Sequence, residues 1–130
     1  MVKRSNSIWI VDDDEDVRFG LQNFLRSAGC VVRTFDHARA CLRALDSSTP
    51  DCLITDLHMP GMDGLALQEH LKGLGRRFPV IVMTAFPTRE AEQRSTKLGA
   101  SAFLSKPIDP EQLLEQVEKN LGGFDERRPN

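Results

Sequence analysis

Five short runs of β-forming residues alternate with five segments of helical period along the chain, and few folds accept that pattern. The runs are Ile8–Val11, Val31–Phe35, Cys52–Thr55, Val80–Met83 and Ala102–Ser105. Those starting at Ile8, Cys52 and Val80 are apolar almost throughout, as strands covered on both faces are. Strict strand–helix alternation predicts a parallel sheet sandwiched between helices, an α/β fold. A chain of 130 residues holds one such domain and no second.

The helical segments carry their own punctuation. The first has Val17, Leu21, Phe24, Leu25 and Ala28 on one face and stops at Gly29, a C′ glycine. The second opens at Asp36 as N-cap and buries Ala38, Cys41, Leu42 and Leu45. The third follows Asp63 with Leu65, Leu67 and Leu71, and the fourth runs from Thr88 to Leu98 with the thinnest apolar face. The fifth starts Asp109-Pro110, an N-cap with proline at N1. It buries Leu113, Leu114, Val117 and Leu121 and closes at Gly122-Gly123. Residues 1–122 are read as the domain and 123–130 as a flexible tail or the start of a linker.

Net charge is −2 with both signs scattered, which makes no electrostatic case for nucleic acid or an anionic membrane. No apolar stretch is long enough for a signal peptide or a bilayer span, so a cytoplasmic location is expected. Cys30, Cys41 and Cys52 have no metal-ligand spacing. They read as free thiols, with Cys52 a small core residue.

In an open α/β sheet, ligands bind beyond the carboxyl ends of the strands. Here the first strand ends in Asp12-Asp13-Asp14, the third in Asp56, the fourth in Thr84 and the fifth in Lys106-Pro107. If the first and third strands are neighbours, Asp12, Asp13 and Asp56 share one crevice with a hydroxyl and an ammonium. Packed carboxylates repel unless a cation joins them. All-oxygen donors without His or Cys favour a hard divalent ion such as Mg²⁺. A lysine opposite supplies the rest of a phosphate clamp. A carboxylate is also a competent nucleophile toward phosphorus, so the inferred chemistry is phosphoryl transfer onto an aspartate.

Four segments together, Ile10-Val11-Asp12-Asp13-Asp14, Thr55-Asp56-Leu57-His58-Met59-Pro60-Gly61-Met62-Asp63-Gly64, Val82-Met83-Thr84-Ala85 and Ser105-Lys106-Pro107, make the chain resemble the receiver domains of two-component response regulators. The resemblance implies a doubly wound, flavodoxin-like (βα)5 fold with five parallel strands in the order 2-1-3-4-5. It implies Asp56 as phosphoacceptor, Asp13 as a direct Mg²⁺ ligand, Asp12 as a ligand partly through water and the His58 carbonyl as third protein ligand. Mn²⁺ is the expected substitute. Lys106, in a cis peptide with Pro107, would bind the phosphoryl group. Thr84 and Phe103 would be the switch pair, Phe103 standing where many members have Tyr. The implied partners are a sensor histidine kinase or a histidine phosphotransfer protein, with a homodimer or output contact on the fourth helix, fifth strand and fifth helix.

Phe19 lies about 160° from Val17 and Leu21 at about 100° per residue, on the wet face of the first helix. The resemblance implies that this helix faces the kinase or phosphotransfer protein, so Arg18, Phe19 and Gln22 are expected to face the partner. His58 and Phe86 are expected to stand exposed beside the site, and His37 and His70 on the surface. An aspartate-nucleophile phosphatase reading Asp12-Asp13-Asp14 as D-x-D is disfavoured, because Ser105-Lys106-Pro107 stands where its late acidic pair belongs.

Overall fold

A computed structural model describes residues 6–121; the expected helix stop at Gly122-Gly123 and the tail 123–130 lie outside the described residues. The elements alternate as β1 (Ser7–Val11), α1 (Glu15–Ser27), β2 (Val31–Phe35), α2 (Ala38–Ala44), β3 (Cys52–Asp56), α3 (Gly64–Gly73), β4 (Val80–Thr84), α4 (Arg89–Lys97), β5 (Ala102–Ser105) and α5 (Pro110–Asn120). The strands form one parallel sheet in the order β2-β1-β3-β4-β5, as expected. Each strand is within two residues of its expected span.

Successive strand residues point to opposite faces, so the sheet feeds two cores. Ile8, Ile10, Ile54, Ile81 and Met83 pack with Leu21 and Leu25 of α1 and Leu113 and Val117 of α5. Trp9, Val11, Leu53, Val80 and Val82 pack on the other side with Ala38 and Cys41 of α2 and Leu67 and Leu71 of α3. β3 and β4 are buried along their whole length, which explains their unbroken apolar sequence. All three cysteines are free and buried, and burial pushes the Cys41 and Cys52 thiols up to about 12.

The helix boundaries follow side-chain chemistry. Asp14, Asp63, Thr88 and Asp109 accept hydrogen bonds from backbone N–H groups of the turns they open. Gly29 and Gly99 leave α1 and α4 at φ 98° and 99°, the left-handed conformation that favours glycine. α2 is a correction. Its N-cap is His37, not Asp36: the chain stays extended through His37, and its imidazole Nδ1 accepts from Ala40 N–H at 3.2 Å. Asp36 is exposed, one residue too early to reach those amides. α2 buries Ala38 and Cys41 fully, while Leu42 and Leu45 are only half-buried.

α4 departs most from an ordinary amphipathic helix. Ser95 is its single buried residue. Its hydroxyl donates to Gln68 Oε1 of α3 at 3.2 Å, and Gln68 Nε2 donates to the Ser95 carbonyl at 3.0 Å. Both residues are fully buried. A reciprocal polar clasp stands where most helices put leucines. Gln68 falls inside the apolar arc between Leu67 and Leu71, a signal present in the sequence but not read there.

Candidate functional site

The register sets the site. Val11 lies opposite Thr55 across β1 and β3, so Asp12, just past the end of β1, and Asp56, the last residue of β3, stand side by side at the carboxyl edge of the sheet. Thr84 lies opposite Ser105 across β4 and β5, and Lys106 N–H donates to the Thr84 carbonyl at 2.8 Å. Asp12, Asp13 and Asp56 each offer a carboxylate oxygen, all within 4.8 Å of one another. Asp12 and Asp56 are buried, whereas Asp13 is exposed and opens the group to solvent.

Lys106 Nζ lies 2.8 Å from Asp12 Oδ2 and 3.3 Å from Asp56 Oδ1. Burial pushes the Asp56 carboxyl above the ordinary aspartate range, helped by the Asp12 charge and opposed by Lys106. Burial also disfavours the Lys106 ammonium, but the hydrogen bond to Asp12 and the attraction of both carboxylates outweigh it, and its pKa is raised. Three carboxylates against one ammonium leave negative charge uncompensated. An all-oxygen donor set open on one side fits a hard divalent cation that keeps waters.

The β3–α3 turn is shaped for this approach. Gly61 turns at φ 76°, and Gly64 N–H closes the loop on the Leu57 carbonyl at 2.8 Å. A Cβ on Gly64 would stand 2.5 Å from the Asp56 carbonyl oxygen and 2.9 Å from Leu57 Cα. Only glycine lets α3 begin so close to the end of β3. Lys106–Pro107 is cis, as the resemblance implied.

Thr84 is fully buried, and its Oγ1 accepts from Phe86 N–H at 3.0 Å. Phe103 is half-buried against the core on the α2–α3 side of the sheet. His58 is exposed, and its ring meets that of Phe86 edge-on with centroids 5.6 Å apart. His37 and His70 are on the surface.

The three residues expected to face a partner divide. Phe19 is 53% exposed. Arg18 curls back, and its Nη1 donates to the Asp12 carbonyl at 2.7 Å. Gln22 is half-buried; with its amide turned so that both ends are satisfied, its oxygen accepts from the Arg26 guanidinium. Helical periodicity assigns a face but not the reach of an arginine, so the turn of Arg18 toward the site was not legible.

A doubly wound parallel sheet with an acidic crevice at its carboxyl edge defines a flavodoxin-like domain of the chemotaxis-regulator type. The chain belongs to the response regulator receiver domain family of two-component signalling, whose match spans residues 8–118. It is 39% identical over 121 residues to the DNA-binding transcriptional regulator NtrC of Escherichia coli (strain K12), covering 93% of this chain and 26% of that protein. It is 37% identical over 114 residues to the transcriptional regulatory protein FixJ of Bradyrhizobium diazoefficiens, covering 88% of this chain and 56% of that one. The chain thus spans about a quarter of NtrC and about half of FixJ. The crystal structure of FixJ-N superposes with a TM-score of 0.83 at 29% identity, over 98% of this chain and 99% of that one. The chemotaxis protein CheY4 of Vibrio cholerae gives 0.84 at 26% identity, over 89% and 98%. Among the described residues, no helix is long and apolar enough to cross a membrane.

Proposed function

We propose that this chain accepts a phosphoryl group on Asp56 from the phosphohistidine of a sensor histidine kinase or a histidine phosphotransfer protein. The observation that carries this reading is the Lys106 ammonium bridging Asp12 and Asp56 inside a group of three carboxylates. An Asp56 carboxylate oxygen attacks phosphorus. The P–O bond forms as the P–N bond breaks, and the electron pair of that bond goes to the imidazole nitrogen. Lys106 binds a phosphoryl oxygen as a point charge. Mg²⁺, or Mn²⁺ in its place, would be held by Asp13, Asp56 and the His58 carbonyl, with Asp12 partly through water, and supplies neutralising charge for the phosphoryl oxygens.

Thr84 then turns from the Phe86 N–H to the phosphoryl group. The loop between β4 and α4 moves with it, and Phe103 swings inward. The switched surface is α4, β5 and α5, where an output partner or a second copy binds. The domain assists its own phosphorylation and hydrolysis and is a switch, not a turnover enzyme. The donor docks on α1, where Phe19 is exposed; an apolar cleft lined by Val17, Gly20, Leu21, Pro107 and Ile108 adjoins Lys106 on a different face of that helix. A cytoplasmic site of action suits the three free thiols. This domain itself binds neither nucleic acid nor membrane.

The test is incubation with Mg²⁺ and acetyl phosphate, read by intact mass beside Asp56→Ala. A gain of one phosphoryl group that needs both Mg²⁺ and Asp56 supports the reading. A folded wild type that binds Mg²⁺ and gains nothing refutes it.

A further inference from the structure

We propose that Arg18 is a positioning residue for the metal-binding acids, acting through the backbone of Asp12; this rests on the reading of the crevice as a Mg²⁺ site. Asp12 is held at every polar atom. Its N–H donates to the Phe35 carbonyl at 3.1 Å, and its Oδ1 accepts from Asp14 N–H at 2.8 Å. Its Oδ2 accepts from Lys106 at 2.8 Å, and its carbonyl accepts from Arg18 Nη1 at 2.7 Å. The first partner belongs to the neighbouring strand, the second to the adjoining turn and the third to the site. Arg18 alone reaches in from the body of α1, six residues along the chain.

The carbonyl that Arg18 holds is one end of the Asp12–Asp13 peptide. That unit is planar, so fixing its oxygen fixes the plane from which the Asp13 backbone continues. Asp13 is exposed, and surrounding side chains do not enclose it. The aim of its carboxylate toward Asp12 and Asp56 therefore depends on that plane. Arg18 stands to the acids as an outer partner stands to a metal ligand: it touches no ion and orients the group that does.

Two roles for Arg18 predict opposite signs. As a bystander cation, its removal lessens repulsion and tightens Mg²⁺ binding. As a positioning residue, its removal weakens binding. Raising the salt to about 1 M shrinks the screening length to about 3 Å and leaves the positioning effect to be read.

The experiment titrates Mg²⁺ by calorimetry at that salt, well below the melting temperature, on the wild-type chain and five variants. Arg18→Met is expected to weaken Mg²⁺ affinity on the order of tenfold without changing the metal-free melting temperature. Arg18→Lys, one compact donor in place of a fork, falls between. Arg26→Met removes the same charge from the far end of α1 and binds as the wild type does. In phosphorylation by acetyl phosphate, Arg18→Met raises the Mg²⁺ concentration needed for half-maximal rate and leaves the rate at saturating Mg²⁺ near that of the wild type. Unchanged or tighter Mg²⁺ binding by Arg18→Met overturns the proposal. So does a loss confined to transfer from a protein donor, which returns Arg18 to a partner-facing role. Asp13→Asn and Asp56→Asn separate the two failures: a wild type whose weak Mg²⁺ binding neither of them alters refutes the crevice as a metal site, and this inference with it.

Discussion

Removal of the Gln68–Ser95 clasp is expected to loosen α4 before any other helix. Ser95 is the single buried residue of α4, so little apolar surface opposes its release. Gln68→Leu keeps the volume and deletes two hydrogen bonds, of 3.0 and 3.2 Å, between fully buried groups. At about 0.5–1.5 kcal/mol net for each bond, the loss is about 1–3 kcal/mol. Ser95→Ala deletes one of them and costs about 1 kcal/mol. The double variant leaves no new orphan on α4, because the Ser95 carbonyl also accepts from Ala100 N–H at 3.0 Å. Its cost should fall short of the sum by about 1 kcal/mol, the coupling of the pair. Urea denaturation of the four proteins measures the cycle, with roughly 4 °C of melting temperature per kcal/mol as a check. Hydrogen exchange locates the effect: α4 amides should lose protection in Gln68→Leu while those of β3 and β4 keep theirs. Additive losses within about 0.3 kcal/mol, or protection lost evenly over the domain, would refute the clasp as the anchor of α4.

Two glycines of α3 should respond oppositely to the same substitution. Gly64→Ala drives a Cβ against the Asp56 carbonyl and should cost about 2–3 kcal/mol and impair phosphorylation; Gly73→Ala, where a Cβ meets nothing within 4 Å, should gain up to about 1 kcal/mol. A shared sign in urea melts would contradict the packing argument. In metal-free buffer, Asp56→Asn should stabilise the fold at pH 7, because the buried carboxylate beside Asp12 is disfavoured in its charged form. A carboxyl whose folded pKa is raised contributes stability that is present below its unfolded pKa and lost as pH rises through the folded one. The advantage of the neutral isostere should therefore vanish below about pH 4; a gap that persists or grows in acid would refute the assignment.

The sequence by itself determined the elements, because their signals are local. Apolar runs marked β3 and β4, turn glycines ended α1 and α4, and Asp-Pro opened α5. It also named the crevice residues once strand ends were read as a set. The tertiary structure decided what depends on distance and reach. Lys106 meets Asp12 only because the order of β2-β1-β3-β4-β5 folds positions 94 apart in sequence onto one edge. His37 and not Asp36 caps α2 because the backbone turns one residue later than the composition implied. Gln68 meets Ser95 across two helices, and Arg18 turns inward to Asp12 where its place on α1 alone pointed outward. Period and punctuation act over a few residues and are written in the chain, whereas a long side chain chooses among several partners that only the packed fold brings within reach.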